Sequence, residues 1–375
     1  MTYLDYSATT PVDDEVLKTF VKASKYIGNP NSLHKLGINA KELIDASTNQ
    51  IANILGVKAN EIIYTSGASE ANNTVIKGIE NYKSRGNHII TTNLEHSSIY
   101  GPLKYMQDRG YEISYVPLKN GLVDINALEN MITDKTVLVT ISAVNSETGV
   151  RQNIEQIGQM LKKYPKVIFH SDITQAVGKI NIDLANVDLA SFSAHKFFGI
   201  KGIGALIKKE NITLTPLIAG GKSTTAYRSG TPSTSLIASM AKALRLAYEN
   251  LNVKYVENLN NKIKDKLKTY EKVHINSNEF SVPHILNFSI SGVKPETFLH
   301  ALEEDEVYIS TQSACAKGNS SRSVLALTGS DTYATTSLRI SLSIKTTMQD
   351  VNKFLDSFDK NYRKLVIKWA KQMHG

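Results

Sequence analysis

The chain has 375 residues, 41% of them hydrophobic, with 43 Lys and Arg against 35 Asp and Glu, and a single cysteine. That length and apolar content suit one large α/β unit or two domains and exclude a disordered chain, while one thiol excludes an internal disulfide framework or a cysteine-rich metal site and fits a reducing cytoplasm. The formal charge of +8 is spread over lysines on polar helix faces, which argues against direct nucleic-acid binding; with no basic-then-apolar leader and no run of roughly 18 apolar residues, a soluble, unprocessed protein outside the membrane is expected.

In chain order, short β-branched runs occur at EIIYT (near Ile62), HIITT (Ile89), EISYVP (Ile113), TVLVTIS (Val137), KVIFHS (Val167), VDLASFS (Leu189) and IGALIKK (Ile203). Helical patterns separate them, with Val75, Ile76 and Ile79 on one face and Ile154, Ile157 and Leu161 on another. Strands spaced by helices predict an α/β fold with a mostly parallel seven-stranded sheet covered on both faces. From about residue 256 the pattern changes to a polar-faced helix through Val256, Leu259, Ile263 and Leu267, then strands at HILNFSI and LRISLSI and a last helix from Thr347. This predicts a smaller α+β domain, with residues 15–255 forming the large unit and residues 1–14 and 256–375 the small one. No internal repeat is present.

Open α/β sheets bind ligands at the C-terminal ends of their strands, and four such ends carry polar residues. TSGASEANN (65–73) places Ser66, Gly67 and Ser69 ahead of a helix, which reads as a phosphate turn or as an ordinary N-cap. NLEHSSIY carries His96, catalytic or structural. SDITQAVGK carries Asp172, a carboxylate needing a cationic or N–H partner such as a protonated heterocycle, and Gln175. SAHKFFGIKGIGAL carries Ser193, His195 and Lys196; a lysine at a buried strand end can lose its proton and form a Schiff base, or it can reach the surface as a structural residue. Phosphate turn, histidine, aspartate and lysine after successive strands of one domain are together the parts that a pyridoxal 5'-phosphate (PLP) enzyme needs. Cys315 stands apart in the polar stretch ISTQSACAKGNSS, where a thiol is either a small packing residue or a reactive group.

LDYSATTP, GNPNSLH, TSGASEANN, EHSSI, HSDITQAVGK, SFSAHKFFGIKGIGAL, YRSGTPS, SACAKG and LRISLS resemble, in order and over nearly the whole length, the NifS/IscS-like cysteine desulfurases of the class V aminotransferase group. The resemblance implies a fold-type I PLP enzyme, a homodimer with sites built from both subunits, and conversion of L-cysteine to L-alanine with sulfur passing to an enzyme cysteine. It implies that Lys196 holds the cofactor covalently and shuttles protons. His96 would stack on the ring and help deprotonate the substrate, Asp172 would pair with the ring nitrogen, and Gln175 would bond the ring oxygen. Ala68, Ser69, Ser193 and His195 would bind the phosphate, with Thr231 reaching it from the partner subunit. Arg339, aided by Asn31, would clamp the substrate carboxylate, and Cys315 would carry the sulfur as a persulfide.

Some positions depart from the family pattern. Ser69 stands where threonine is common, and Ser146 stands where an asparagine is expected near the ring oxygen, with Asn145 one place earlier. The stretch after Cys315 is shorter than in many relatives, and the basic tail RKLVIKWAKQMHG lacks the end that relatives use to dock an iron–sulfur scaffold. The expected acceptor is a protein, either such a scaffold or a tRNA-thiolating enzyme. Rival readings are a selenocysteine lyase, a class V aminotransferase, which needs no thiol, and a non-catalytic binding paralogue.

Overall fold

The computed structural model describes residues 1–221, 225–311 and 320–367. Each of the seven β-branched runs forms a strand: β1 (Ile62–Thr65), β2 (His88–Thr91), β3 (Glu112–Tyr115), β4 (Thr136–Thr140), β5 (Ile168–Asp172), β6 (Leu189–Ser193) and β7 (Gly204–Lys208). They form one sheet in the order β1-β7-β6-β5-β4-β2-β3. β7 is antiparallel to both its neighbours, and all the other pairings are parallel. The strands β4 to β7 are buried along their whole length, as expected of a sheet covered on both faces.

Alternation along the strands divides the apolar residues between two cores. Phe169, Ala190 and Ile207 face one layer; Ile168, Leu189 and Leu206 face the other. The first layer contains α1 (Asp14–Ala23), α2 (Lys35–Leu55), α5 (Ile154–Leu161) and α6 (Thr234–Glu249), with α1 and α2 packed on α6. The second contains α3 (Ala68–Gly78) and α4 (Ser97–Gln107), packed on each other through residues such as Val75, Ile76, Ile99 and Leu103.

A separate core lies around an antiparallel sheet of β8 (Val273–Ile275), β9 (Ile285–Ile290) and β10 (Ser337–Ser341). The helices α7 (Val253–Leu267), α8 (Pro295–Glu303) and α10 (Met348–Tyr362) cover it, with α9 (Arg322–Thr328) between α8 and β10 in sequence. Phe288, Phe298, Phe354 and Phe358 fill this core. A capping box starts α10: Thr347 Oγ1 accepts from the Asp350 N–H, and the Asp350 carboxylate accepts from the Thr347 N–H.

The N-terminus ties the two sheets together. Thr2–Tyr3 pairs with Val307–Tyr308, and Leu4 enters the small core. The chain then crosses to the large sheet, where Thr10 N–H donates to His195 O at 2.9 Å and Asp13 N–H to Phe198 O at 3.0 Å. Two-residue strands have no readable periodicity, so this strap is absent from the predicted elements.

Candidate active site

The C-terminal ends of β1, β5 and β6 and the first residue of β7 meet at one sheet edge, since Gly204 is in register with both Thr65 and Ser193. A cavity of about 290 Å³ opens there. Nine of the predicted site residues line it: Ala68, Ser69, His96, Asp172, Gln175, Ser193, His195, Lys196 and Arg339. Asn31 and Thr231 are exposed and do not line it. Cys315 lies outside the described residues.

At one end, Gly67 turns the chain from β1 into α3 at φ 154°, a conformation open to glycine. The helix begins at Ala68, so Ser69 sits inside its first turn rather than ahead of it. No side chain of Gly67 can cap α3; instead the Ala68 N–H donates to Ser193 Oγ at 2.7 Å. This close approach depends on Gly204, because a Cβ there would lie 2.4 Å from Phe192 O and 2.7 Å from Gly67 Cα.

His96 caps α4, with its Nδ1 accepting from the Ser98 N–H at 3.1 Å. Burial pushes its pKa down, against the attraction of Asp172 and with the help of Lys196. The ring is therefore neutral near pH 7, with its proton on Nε2. Asp172 ends β5 and accepts from Asn72 Nδ2 at 2.8 Å and from the Thr174 N–H at 2.9 Å. Asn72 also donates to Ser98 Oγ at 2.9 Å, and Ser98 Oγ lies 2.9 Å from His96 Nδ1. Imidazole and carboxylate are thus joined by a continuous hydrogen-bond chain that sequence reasoning missed; Asn72 stood in a quoted motif, but only folding brings it 100 positions along the chain to Asp172.

Lys196 follows β6 in a single turn, and its Nζ donates to Ser7 O at 2.6 Å and Ala8 O at 2.8 Å. Gln175 Nε2 donates to the same Ser7 O at 3.0 Å. The adjacent His195 lies 3.1 Å from Thr9 Oγ1 through its Nδ1, and its pKa falls to about 4 through burial and the charges of Lys196, Lys179 and Lys201. The strap from Ser7 to Thr9 is therefore a wall of the site, which composition and period could not show.

Arg339 reaches in from β10 of the small core. Its Nη2 pairs with Asp5 Oδ1 at 2.7 Å and its Nη1 donates to Ser146 O at 2.9 Å. Its Nε is buried with no partner among the described residues. Ser146 lines the cavity, whereas the Asn145 amide is used up in its own turn: Oδ1 accepts from the N–H groups of Glu147 and Thr148, and Nδ2 donates to Leu94 O and Ser323 Oγ.

Behind His96 lies Glu95, fully enclosed and accepting from Thr92 Oγ1 at 2.8 Å, the Ser142 N–H at 3.1 Å and Ser142 Oγ at 2.5 Å. Burial raises its pKa to about 7 despite those donors.

The mixed sheet, its covering helices and a lysine at the end of β6 define the fold-type I architecture of PLP-dependent enzymes, and the aminotransferase class-V family matches residues 2–354. The chain belongs to that family. Cysteine desulfurase IscS of Buchnera aphidicola subsp. Baizongia pistaciae is 40% identical over 97% of this chain and 93% of its own. Among solved structures, a NifS-like protein superposes with a TM-score of 0.90 at 34% identity, over 96% of this chain and 99% of that one. SspA in complex with cysteine superposes with a TM-score of 0.81 at 30% identity, over 92% and 100%. No helix among the described residues is long and apolar enough to cross a membrane.

Proposed function

We propose that this protein is a PLP-dependent cysteine desulfurase that converts L-cysteine to L-alanine and takes the sulfur onto Cys315 as a persulfide for a protein acceptor. The observation that carries this reading is the pairing within one cavity of an Arg339 guanidinium, whose buried Nε–H has no partner among the described residues, with a strand-end lysine and a strand-end aspartate. A related solved protein holds cysteine.

The residues fit the cofactor. Asp172 has two neutral N–H partners and no salt bridge among the described residues, so a protonated ring nitrogen suits its carboxylate. The first turn of α3, with Ser193 and His195 beside it, suits the phosphate. When bound, PLP supplies an electron sink for bond changes at the substrate carbons. In this reading Lys196 anchors the cofactor and moves protons, neutral His96 stacks on its ring, and Gln175 bonds its ring oxygen. Ala68 and Ser69 hold the phosphate, with Thr231 supplied by the partner, while Arg339 orients the substrate carboxylate and Asn31 assists.

The assembly is a homodimer in a reducing cytoplasm. Supporting a partner copy are the apolar side chains exposed on α1 (Leu17, Val21), on the connection after it (Ile27, Leu33) and at the start of α2 (Leu36). The division into 15–255 and 1–14 with 256–375 is supported by the separate small core and by Leu4 within it. The acceptor is an iron–sulfur scaffold or a tRNA-thiolating enzyme.

The test is intact mass spectrometry of the PLP-loaded protein after brief exposure to L-cysteine, with peptide mapping and alanine analysis. One added sulfur on the Cys315 peptide with alanine in solution is the expected result. Bound PLP with neither would refute the desulfurase reading.

A further inference from the structure

Gln175 is held at three points. His284 Nε2 donates to its main-chain O at 3.0 Å, its Nε2 donates to Ser7 O at 3.0 Å, and its Oε1 accepts from Lys179 Nζ at 2.6 Å. The side chain lines the cavity. An amide has two faces of opposite chemistry: a carbonyl oxygen that only accepts and an NH₂ that only donates. Lys179 Nζ can only donate in its charged form and still offers N–H donors when neutral. Ser7 O can only accept. A donating Lys179 and Ser7 O therefore favour the same orientation, in which the NH₂ of this cavity-lining side chain has one N–H on Ser7 O and a second N–H besides.

We infer that Lys179 is a positioning residue that sets the orientation of the Gln175 amide, so that an N–H rather than a carbonyl is presented to the ring oxygen of the bound cofactor. This inference rests on the reading of the cavity as a PLP site. Without the Lys179 donor, Ser7 O alone holds the amide, and each turn of the amide would set a carbonyl against an anionic ring oxygen and repel it.

The charged and titratable groups around Lys179 are Lys196, Arg339, His284 and His195. Burial foremost, then Lys196 and Arg339, hold its ammonium well below the ordinary lysine value. His284 is fully enclosed and kept neutral by burial and by Lys179, with its Nδ1 unpartnered among the described residues. Removing Lys179 also removes any positive charge it carries beside the cavity, and the test must separate that field from the amide's orientation.

The experiment is a pH titration of the visible absorption of PLP bound to four proteins: wild type, Lys179→Met, Gln175→Ala and the double variant. An N–H donor favours the deprotonated ring oxygen, so Lys179→Met is expected to raise the titration midpoint by about one pH unit, a tenfold change in proton affinity. Gln175→Ala is expected to raise it similarly, and Lys179→Met is expected to add nothing further in the Gln175→Ala background. An unshifted Lys179→Met, or a shift that persists in full without Gln175, overturns the inference. Lys179→Leu replaces the methionine variant if that chain does not fold. A wild-type chain that takes up no PLP overturns the cofactor reading itself, which is a distinguishable result.

Discussion

Gly204→Ala tests whether the anion-binding end of the site depends on backbone contact between β7 and the turn before α3. The added Cβ would lie 2.4 Å from Phe192 O of the buried sheet and 2.7 Å from Gly67 Cα in the turn before α3, both main-chain atoms that cannot swing aside as a side chain can. Backbone overlap of this kind falls at the upper end of overpacking costs, about 3 kcal/mol. With an unfolding entropy of about 2 cal/mol/K per residue, that lowers the melting temperature of a chain this long by about 4 °C. The relief movement pushes Gly67 away from β6 and stretches the 2.7 Å contact between the Ala68 N–H and Ser193 Oγ. Affinity for PLP is then expected to fall by about tenfold or more, because the donors at the start of α3 no longer converge. Differential scanning calorimetry gives the first number and absorbance titration with PLP the second. A variant that melts within 1 °C of wild type (roughly a quarter of the expected shift) and binds PLP equally would refute the steric argument.

Cys315→Ser is expected to bind PLP normally while sulfide release falls roughly a thousandfold, about 4 kcal/mol of lost transition-state stabilisation; undiminished sulfide would return Cys315 to a packing role. Arg339→Lys keeps a positive charge but loses the fork that reaches Asp5, Ser146 O and the cavity, so KM for L-cysteine should rise about tenfold or more with a smaller change in kcat. An unchanged KM would place the carboxylate elsewhere. Glu95, raised to about 7 from 4.5 by burial, contributes stability that is complete below pH 4.5 and lost as pH rises through 7. The stability of Glu95→Gln relative to wild type should therefore increase by about 3 kcal/mol between pH 4.5 and 8, read from denaturant melts, and a pH-independent difference would show that Glu95 ionises normally in the fold.

The strands of the large sheet were legible because buried strands are short, continuous apolar runs rich in β-branched residues, and the polar residues that close them stand out against that background. Lys196, Asp172 and His96 were visible in this way. Gly204 was visible as part of a glycine-rich run, but not its reason, which is the main chain of Gly67 in the turn that follows the neighbouring strand. The neutral state of His96 and His195 was not legible, since desolvation depends on what packs around a ring.

By itself the sequence determined the order of the elements, the residue types at the strand ends and the family, because periodicity and local motifs are properties of neighbouring residues. Tertiary structure alone decided which distant groups touch. Asp5 pairs with Arg339 across 334 positions, Ser7 and Ala8 receive Lys196 across nearly 190, and Asn72 joins Asp172 to the partner of His96. These contacts are set by strand order and by the return of the N-terminal strap between two sheets. No local propensity encodes either; both follow from burying the apolar faces of the large and small sheets at once.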